Sequence, residues 1–454
     1  MFTRIRSLIA RVFENEIIRR IARNSSYLFS ASTIGMFQSI LAGRLLGPAM
    51  FGTLGAFTQF TSVLNRLTSF RIGELVVRYV GHYEEQDDHP RAAAVFKLAA
   101  GMEIGGSFLA FGLIWWLAPL GAEYFVHDPE LTPLFRLYGA VVLANLMFES
   151  ASGLLEIFDR FKVIAFANIF QSILTFSLIL AAFLSKAGLY QVVLAYMIGK
   201  VSGSVLISAF AILQARRAWG AGWWKSPLGL LVDQRRSLMA FAFSTNLSST
   251  ISLVAKDSES LWISAFLGTE QAGYYKVAQA LSNILIFPVT PLYKTTYPEL
   301  AREIARKKWN NVRYILRQGS RLAIAYSAPV ILGLVVFGKW IITLTYSQAY
   351  LPAYPALLWL LVGYAFVNFF YWHRVALLAL ARPIFPTIVN FFGMVIKVSL
   401  IFLLVPQFGY LAFAGLLSGY YVFTIGFSVA RVLMDLKGRT EEQEPPVLGS
   451  NKGM

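Results

Sequence analysis

From residue 26 to residue 432 the chain is a succession of apolar runs, separated by short polar breaks. Each run is close to the ~20 residues that an α-helix needs to cross hydrocarbon, and about twelve of them can be drawn. In the first half they cover 26–46, 51–72, 93–118, 132–153, 163–184 and 190–213; in the second, 238–267, 271–296, 320–344, 354–379, 384–405 and 410–432. The pattern predicts an all-α, polytopic membrane protein. Inside three of the runs polar residues recur every three or four positions, which places them on one helical face. The second run has Thr58, Ser62, Arg66 and Ser69. The seventh has Thr245, Ser249, Ser252, Lys256 and Glu259, within the stretch KDSESLWISAFLG at 256–268, and the eighth has Lys276, Gln279, Asn283, Thr290 and Lys294.

Composition agrees, because 57% hydrophobic and 14% charged residues are proportions that soluble chains of 454 residues do not carry. The net charge of +16 is read as basic loops facing the cytoplasm and anionic lipid, not as a nucleic-acid surface. Its placement supports the span count. Arg4, Arg6, Arg11, Arg19, Arg20 and Arg23 precede the first run, and Arg216, Arg217, Lys225, Arg235 and Arg236 follow the sixth. Arg302, Arg306, Lys307, Lys308, Arg313 and Arg317 follow the eighth, whereas GAEYFVHDPELTP, at 121–133, has no Lys or Arg. Both termini are therefore expected in the cytoplasm. Residues 1–25 pattern as an amphipathic surface helix without the apolar core of a signal peptide, and the polar tail 433–454 reads as disordered.

The two halves resemble each other. Leu46, Gly47 and Gly52 recur as Leu267, Gly268 and Gly273 at one constant offset, which Gly188 and Gly409 share; Arg160 and Asn168 recur as Arg382 and Asn390 one residue further on. A repeat in the same orientation implies two six-helix lobes, 26–213 and 238–432, joined by a cytoplasmic linker at 214–237, with a cleft between them.

The order and spacing of RLLGPAMFG (44–52), DSESLWISAFLGTEQAGYY (257–275), YPELAR (297–302), FGKWIITLTYSQAYLPAYPALLWLLVG (337–363) and VPQFGYLAFAG (405–415) resemble the oligosaccharide flippases of the multidrug/oligosaccharidyl-lipid/polysaccharide exporter superfamily, the Wzx-type polysaccharide biosynthesis proteins. The resemblance covers nearly the whole chain. It implies a MATE-like fold in the inner membrane of a bacterium or archaeon, and export of an undecaprenyl-diphosphate-linked oligosaccharide by alternating access. The partners it implies are that lipid-linked oligosaccharide, membrane lipids and a polysaccharide polymerase or export machinery. A multidrug or lipid II exporter of the same superfamily stays open beside it.

Ionisable groups at membrane depth cost about 2.5–3.5 kcal/mol each on insertion scales, so they face a cavity or a partner. Arg66, Lys256 and Lys294 are candidates for a diphosphate headgroup, with Glu259, Lys276 and Asn283 on the same faces. The alternative pairs Lys256 with Asp257 or Glu259 and lets Arg66 and Lys294 snorkel. Glu103, Glu149 and Asp257 could exchange protons or bind a coupling cation; with Glu156, Lys200 and Lys397 they could equally pair between helices. Pro288 and Pro291 predict a bend in the eighth run. No catalytic, metal or cofactor residues are assigned. Cysteine is absent, the four histidines lack ligand spacing and no Walker-type loop occurs. A membrane glycosyltransferase or polysaccharide polymerase would need an acidic motif or long outer loops that the chain lacks.

Overall fold

The computed structural model describes residues 16–69, 72–234, 236–239, 250–286 and 289–441, with side chains from residue 33 onward except at 290, 291, 294, 295, 440 and 441. The described residues form helices and connections, without strands. In the first half these are α1 (Glu16–Thr68), α2 (Ile72–Glu84), α3 (His89–Gly121), the three short segments α4 (Thr132–Gly139), α5 (Val141–Ala144) and α6 (Phe148–Ile157), then α7 (Phe161–Leu184) and α8 (Leu189–Trp219). In the second half they are α9 (Glu259–Leu267), α10 (Thr269–Ser282), α11 (Val289–Ala305), α12 (Trp309–Thr345), α13 (Ala353–Phe369), α14 (His373–Ala379), α15 (Ile384–Phe408) and α16 (Tyr410–Glu441). Among the described residues nine helical stretches are long and apolar enough to cross a membrane. Large side chains such as Trp116, Leu184, Trp340 and Ile384 stand on their outer faces, as lipid-facing positions require. Most of residues 1–25, the tail beyond 441, Thr245, Ser249 and Pro288 lie outside the described residues.

Local chemistry sets several boundaries. Gly47, at φ 71° and ψ 173°, breaks α1 into two of the expected spans, with Pro48 opening the second where a missing N–H costs nothing. Gly268 does the same between α9 and α10, at φ 92° and ψ 167°. The fourth and tenth runs, expected as single helices, are interrupted at 145–147 and 370–372. Sequence hydropathy did not show these interruptions, because Leu146, Met147 and the aromatic residues 370–372 keep the runs apolar and Asn145 is a single polar position. A further difference is α2, an amphipathic helix placed in an expected connection, whose Ile72, Leu75, Val76, Tyr79, Val80 and Tyr83 are buried.

The internal repeat is visible in side-chain and backbone detail. Arg160 Nε donates to Gln214 Oε1 at 3.1 Å, and Arg382 Nε reaches Asp435 Oδ2 at 3.3 Å, so each half ties its fifth-run entrance to its last helix by the same device. Asp159 and Ala381, one residue earlier, share the left-handed backbone at φ 54° and 62°.

The halves meet by mutual insertion. A Cβ on Gly52 would overlap the Thr269 carbonyl, and a Cβ on Gly273 would overlap the Pro48 carbonyl, so α1 and α10 approach each other reciprocally through two glycines. One apolar core closes around this contact with residues from both halves, including Phe51, Phe57, Phe135, Tyr275, Tyr346, Tyr350 and Phe413. Tyr350 Oη donates to Gly43 O at 2.8 Å, and Ser264 Oγ to Phe125 O at 2.5 Å, both from one half to the other. At the opposite end the cores are separate. Ile72, Phe96, Leu154 and Leu231 pack within the first half, and Leu300, Trp309, Trp372 and Val432 within the second. The two halves thus share one core at one end and keep separate cores at the other.

Gly273→Leu is expected to lower the detergent melting temperature, an overpacking penalty of about 1–3 kcal/mol. Gly35→Leu, where the added side chain meets open space, should leave the melting temperature unchanged. Equal melting temperatures for the two variants would refute the reciprocal contact.

Candidate functional site

The cleft between the halves takes one wall from the second part of α1, where Gln59, Ser62, Asn65, Arg66 and Ser69 follow one another at helical spacing. The other wall begins at a π-helical turn, Leu253–Asp257, just before α9. A π turn inserts one residue into the helical count and rotates the residues beyond it. Here it separates the charges of KDSES. Lys256 lines a pocket within the second half. Asp257 turns across the cleft, where its carboxylate takes Arg66 Nη1 and its backbone carbonyl accepts from Gln59 Nε2. Glu259 turns inward, pairs with Lys397 Nζ and accepts from Tyr275 Oη.

The expected pairing of Lys256 with Asp257 or Glu259 is therefore corrected: Asp257 goes to Arg66 and Glu259 to Lys397, both from distant helices. Exposure separates the two pairs. The side chains of Lys397 and Glu259 are 2% and 3% exposed, and the lysine also donates to Ala255 O. Removing one member of such a pair leaves a buried charge, at a cost of about 3–5 kcal/mol. Arg66 and Asp257 are 39% and 35% exposed, so their attraction is screened and worth about 0–1 kcal/mol. The first pair is costly to break and the second is not.

Two cavities flank the cleft. One, of ≈ 230 Å³, lies in the first half and is lined by Ser62, Arg66, Glu103, Asn145, Glu149 and Lys200 among others. Glu103 accepts from Ser150 Oγ at 2.6 Å, Ser150 N at 2.9 Å and Glu149 N at 2.7 Å, which makes it the cap of α6. The interruption before α6 frees these N–H groups, and Glu103 satisfies them. Lys200 Nζ sits 5.2 Å from the Phe148 ring. The second cavity, of ≈ 350 Å³, lies in the second half. Lys276 reaches the joined end, 4.3 Å from the Phe51 ring centroid and beside Gly55. Asn283 Oδ1 accepts from Tyr364 Oη at 2.9 Å. Lys294 falls on α11, but its side chain lies outside the described residues.

Residues 40–355 match the family described as "Polysaccharide biosynthesis protein". The chain belongs to that family. Among its relatives, "Inner membrane protein YghQ" of Escherichia coli (strain K12) is 24% identical over 351 residues, which cover 75% of this chain and 97% of YghQ. "Probable flippase AglR" of Haloferax volcanii is 22% identical over 326 residues, 72% of this chain and 64% of AglR. Among solved structures, the inward-facing conformation of a multidrug resistance MATE family transporter of the MOP superfamily overlays with a TM-score of 0.75 at 14% identity, over 91% of this chain and 96% of that one. At that identity the likeness is one of fold, a MATE-like helical bundle.

In this polysaccharide biosynthesis protein the structure brings Arg66 and Asp257 together and places Lys256 in the lining of the second-half cavity. Glu259 stands behind the wall, not on it. Sequence reasoning missed Arg374, His373 and Asn368, which join Lys256 around the second cavity. The signal was present in FFYWHRVALL, at 369–378, where an arginine interrupts an otherwise apolar run.

Glu259→Ala should destabilise the folded protein by about 3–5 kcal/mol, and Lys397→Met combined with Glu259→Leu should recover most of the loss. Denaturant titration of the purified variants checks this. A double variant no more stable than the single would contradict the scaffold assignment.

Proposed function

We propose that this chain is a flippase that moves an undecaprenyl-diphosphate-linked oligosaccharide across the cytoplasmic membrane by alternating access, acting as a carrier without catalysis. The observation that carries this reading is the Arg66–Asp257 ion pair, which crosses between the halves inside a cleft and is exposed enough to be exchanged. Membership of a polysaccharide biosynthesis family and similarity to a relative named a probable flippase support the substrate class.

The open end of the cleft is also the end at which Arg91, Lys225, Arg302, Arg306 and Lys307 stand near the separate cores. By the rule that short cytoplasmic connections hold the basic residues, that end faces the cytoplasm and both termini lie there. A headgroup made on the cytoplasmic side then enters where the halves are apart and meets Arg66. Guanidinium and phosphate can pair through two parallel N–H···O bonds, stronger than a screened carboxylate contact. The diphosphate displaces Asp257 and loosens the clasp between the halves. Once the load leaves on the far side, Asp257 recaptures Arg66 and the cleft resets. Lobe boundaries at 26–213 and 238–432 belong to this same proposal.

Depletion of the protein in its native cell is expected to trap one lipid-diphosphate oligosaccharide in the cytoplasmic leaflet, measured by leaflet-resolved lipid extraction. An unchanged pool would sink the flippase reading. Arg66→Ala is expected to cut flux about tenfold or more, the loss of a charge-assisted contact. The swapped pair Arg66→Asp with Asp257→Arg should stay impaired, because it restores the clasp but moves the cation; full flux in the swapped protein would make the pair purely structural.

A further inference from the structure

At the end where the halves keep separate cores, no apolar core spans them among the described residues, so a closed state at that end needs another source of attraction. Two helical hairpins stand there, one in each half: α2 with α3, turning at 85–88, and α11 with α12, turning at 306–308. α11 packs against α1, and α2 follows α1 directly, so both hairpins continue the walls of the cleft. The two turns are built alike. Asp87 and Lys307 both take the left-handed backbone, at φ 56° and 55°. Asp87 N donates to Glu84 O at 3.1 Å and Asp88 N to Tyr83 O at 3.0 Å; Lys307 N donates to Ile304 O at 2.9 Å and Lys308 N to Glu303 O at 3.0 Å. The shared closure makes Asp87 the repeat partner of Lys307, and Asp88 that of Lys308.

Equal backbones carry inverted charge. The first turn has Glu84, Glu85, Asp87 and Asp88, and the second has Arg302, Arg306, Lys307 and Lys308. A residue that closes a helix in the left-handed region is ordinarily Gly or Asn, so the turn itself asks for neither an aspartate nor a lysine. Local contacts engage part of each set, always within its own half: Glu84 with His89, Asp88 with Arg91, Arg302 with Glu299 and Arg306 with Glu303. Asp88 also caps α3 by accepting from Arg91 N at 3.2 Å. Glu85, Asp87 and Lys308 are exposed. Arg306 is 58% exposed in a contact of 3.5 Å, which holds it weakly.

We propose that the two turns are the halves of an electrostatic latch: when this end of the cleft closes, Glu85 and Asp87 meet Arg306, Lys307 and Lys308. The proposal rests on the alternating access of the flippase reading and goes beyond it by naming what holds the second state together. The two ends of the molecule then close by different physics. Interlocked glycines and an aromatic core form a seal of fixed geometry at one end. Exposed charges at the other attract over about 10 Å at 0.1 M salt, need no fitted surfaces and keep their water when apart. Each such pair contributes little by itself, so a latch of a few pairs holds the closed state and still releases it.

The chain has no cysteine, so spin labels can be attached through Gln86→Cys and Asn310→Cys, at exposed and uncharged positions, in the full chain in lipid nanodiscs. Double electron–electron resonance is expected to show a short-distance population beside a long one. Asp87→Lys alone and Lys307→Asp alone should each lower the short-distance population about threefold, the scale of one exposed ion pair, and the exchange of both residues should restore it. Each substituted residue takes a backbone that its counterpart already holds in the other half, so folding is not at stake. Sodium chloride at about 1 M should also lower the population, since the screening length falls to ~3 Å. Glu130→Lys, in the connection before α4, should leave it unchanged. Loss of short distances on Lys307→Asp but not on Asp87→Lys would assign the basic turn to anionic lipid headgroups and overturn the latch, as would a short-distance population that survives every variant. If the turns never approach while the lipid-diphosphate oligosaccharide still crosses in the native cell, the latch falls and the flippase reading stands. If no distance changes and depletion leaves the lipid pool unchanged, both fall.

Discussion

The reciprocal insertion of Gly52 against the Thr269 carbonyl and Gly273 against the Pro48 carbonyl determines where everything else can stand. In a membrane there is little hydrophobic gain from burying one apolar helix against another, since lipid tails serve equally well; close packing of small residues and satisfied backbone groups hold helices together. Two glycines that each receive the other half's carbonyl give α1 and α10 a separation that no side chain would permit. The aromatic core around Phe51, Tyr275, Tyr346 and Tyr350 then fills the space beside the contact. Because this contact lies at one end, the rest of α1 runs down a cleft, and the helical spacing from Gly55 through Gln59 and Ser62 to Arg66 carries its polar face along that cleft.

Depth and exposure decide what the charges in the cleft can do. Lys397 and Glu259 are sealed from water, and their pairing is too costly to break in a working cycle. Arg66 and Asp257 reach across to each other where water still screens them, so a competing anion need supply only a small difference in free energy. A transporter needs both kinds. The rigid pair keeps the π-helical segment Leu253–Asp257 in place, and that segment aims Asp257 at the opposite half.

Much of the architecture was legible because long apolar runs, basic connections and a repeated glycine register are strong one-dimensional signals. Gly47 and Gly268 were visible as repeat partners, and both proved to be chain breaks with nearly the same dihedral angles. The site was less legible for a geometric reason. Helical spacing places Lys256 and Glu259 on one face, but the π turn that contains Lys256 and Asp257 breaks that register, and Lys256, Asp257 and Glu259 meet different surroundings. The interruptions at 145–147 and 370–372 left no trace in hydropathy, and with them went the cap that Glu103 provides and the cavity that Arg374 lines. Arg374 itself stood in plain view, yet a lone arginine in an apolar run has no meaning until the wall opposite it is known.

The repeat also explains how one fold can hold two different sites. Both halves interrupt this run, at 145–147 and at 370–372, with Asn145 inside the first break and Asn368 just before the second. In the first half Ser204 fills the asparagine's oxygen, and Glu103 caps the following helix, so the polar groups consume one another. In the second half the acceptor of Asn368 has no partner among the described residues. An unfilled acceptor is a standing cost to the folded state, and selection retains such costs where they serve binding. Divergence between the halves therefore shows in their polar groups: one interruption is closed by its own side chains, and the other keeps an open acceptor.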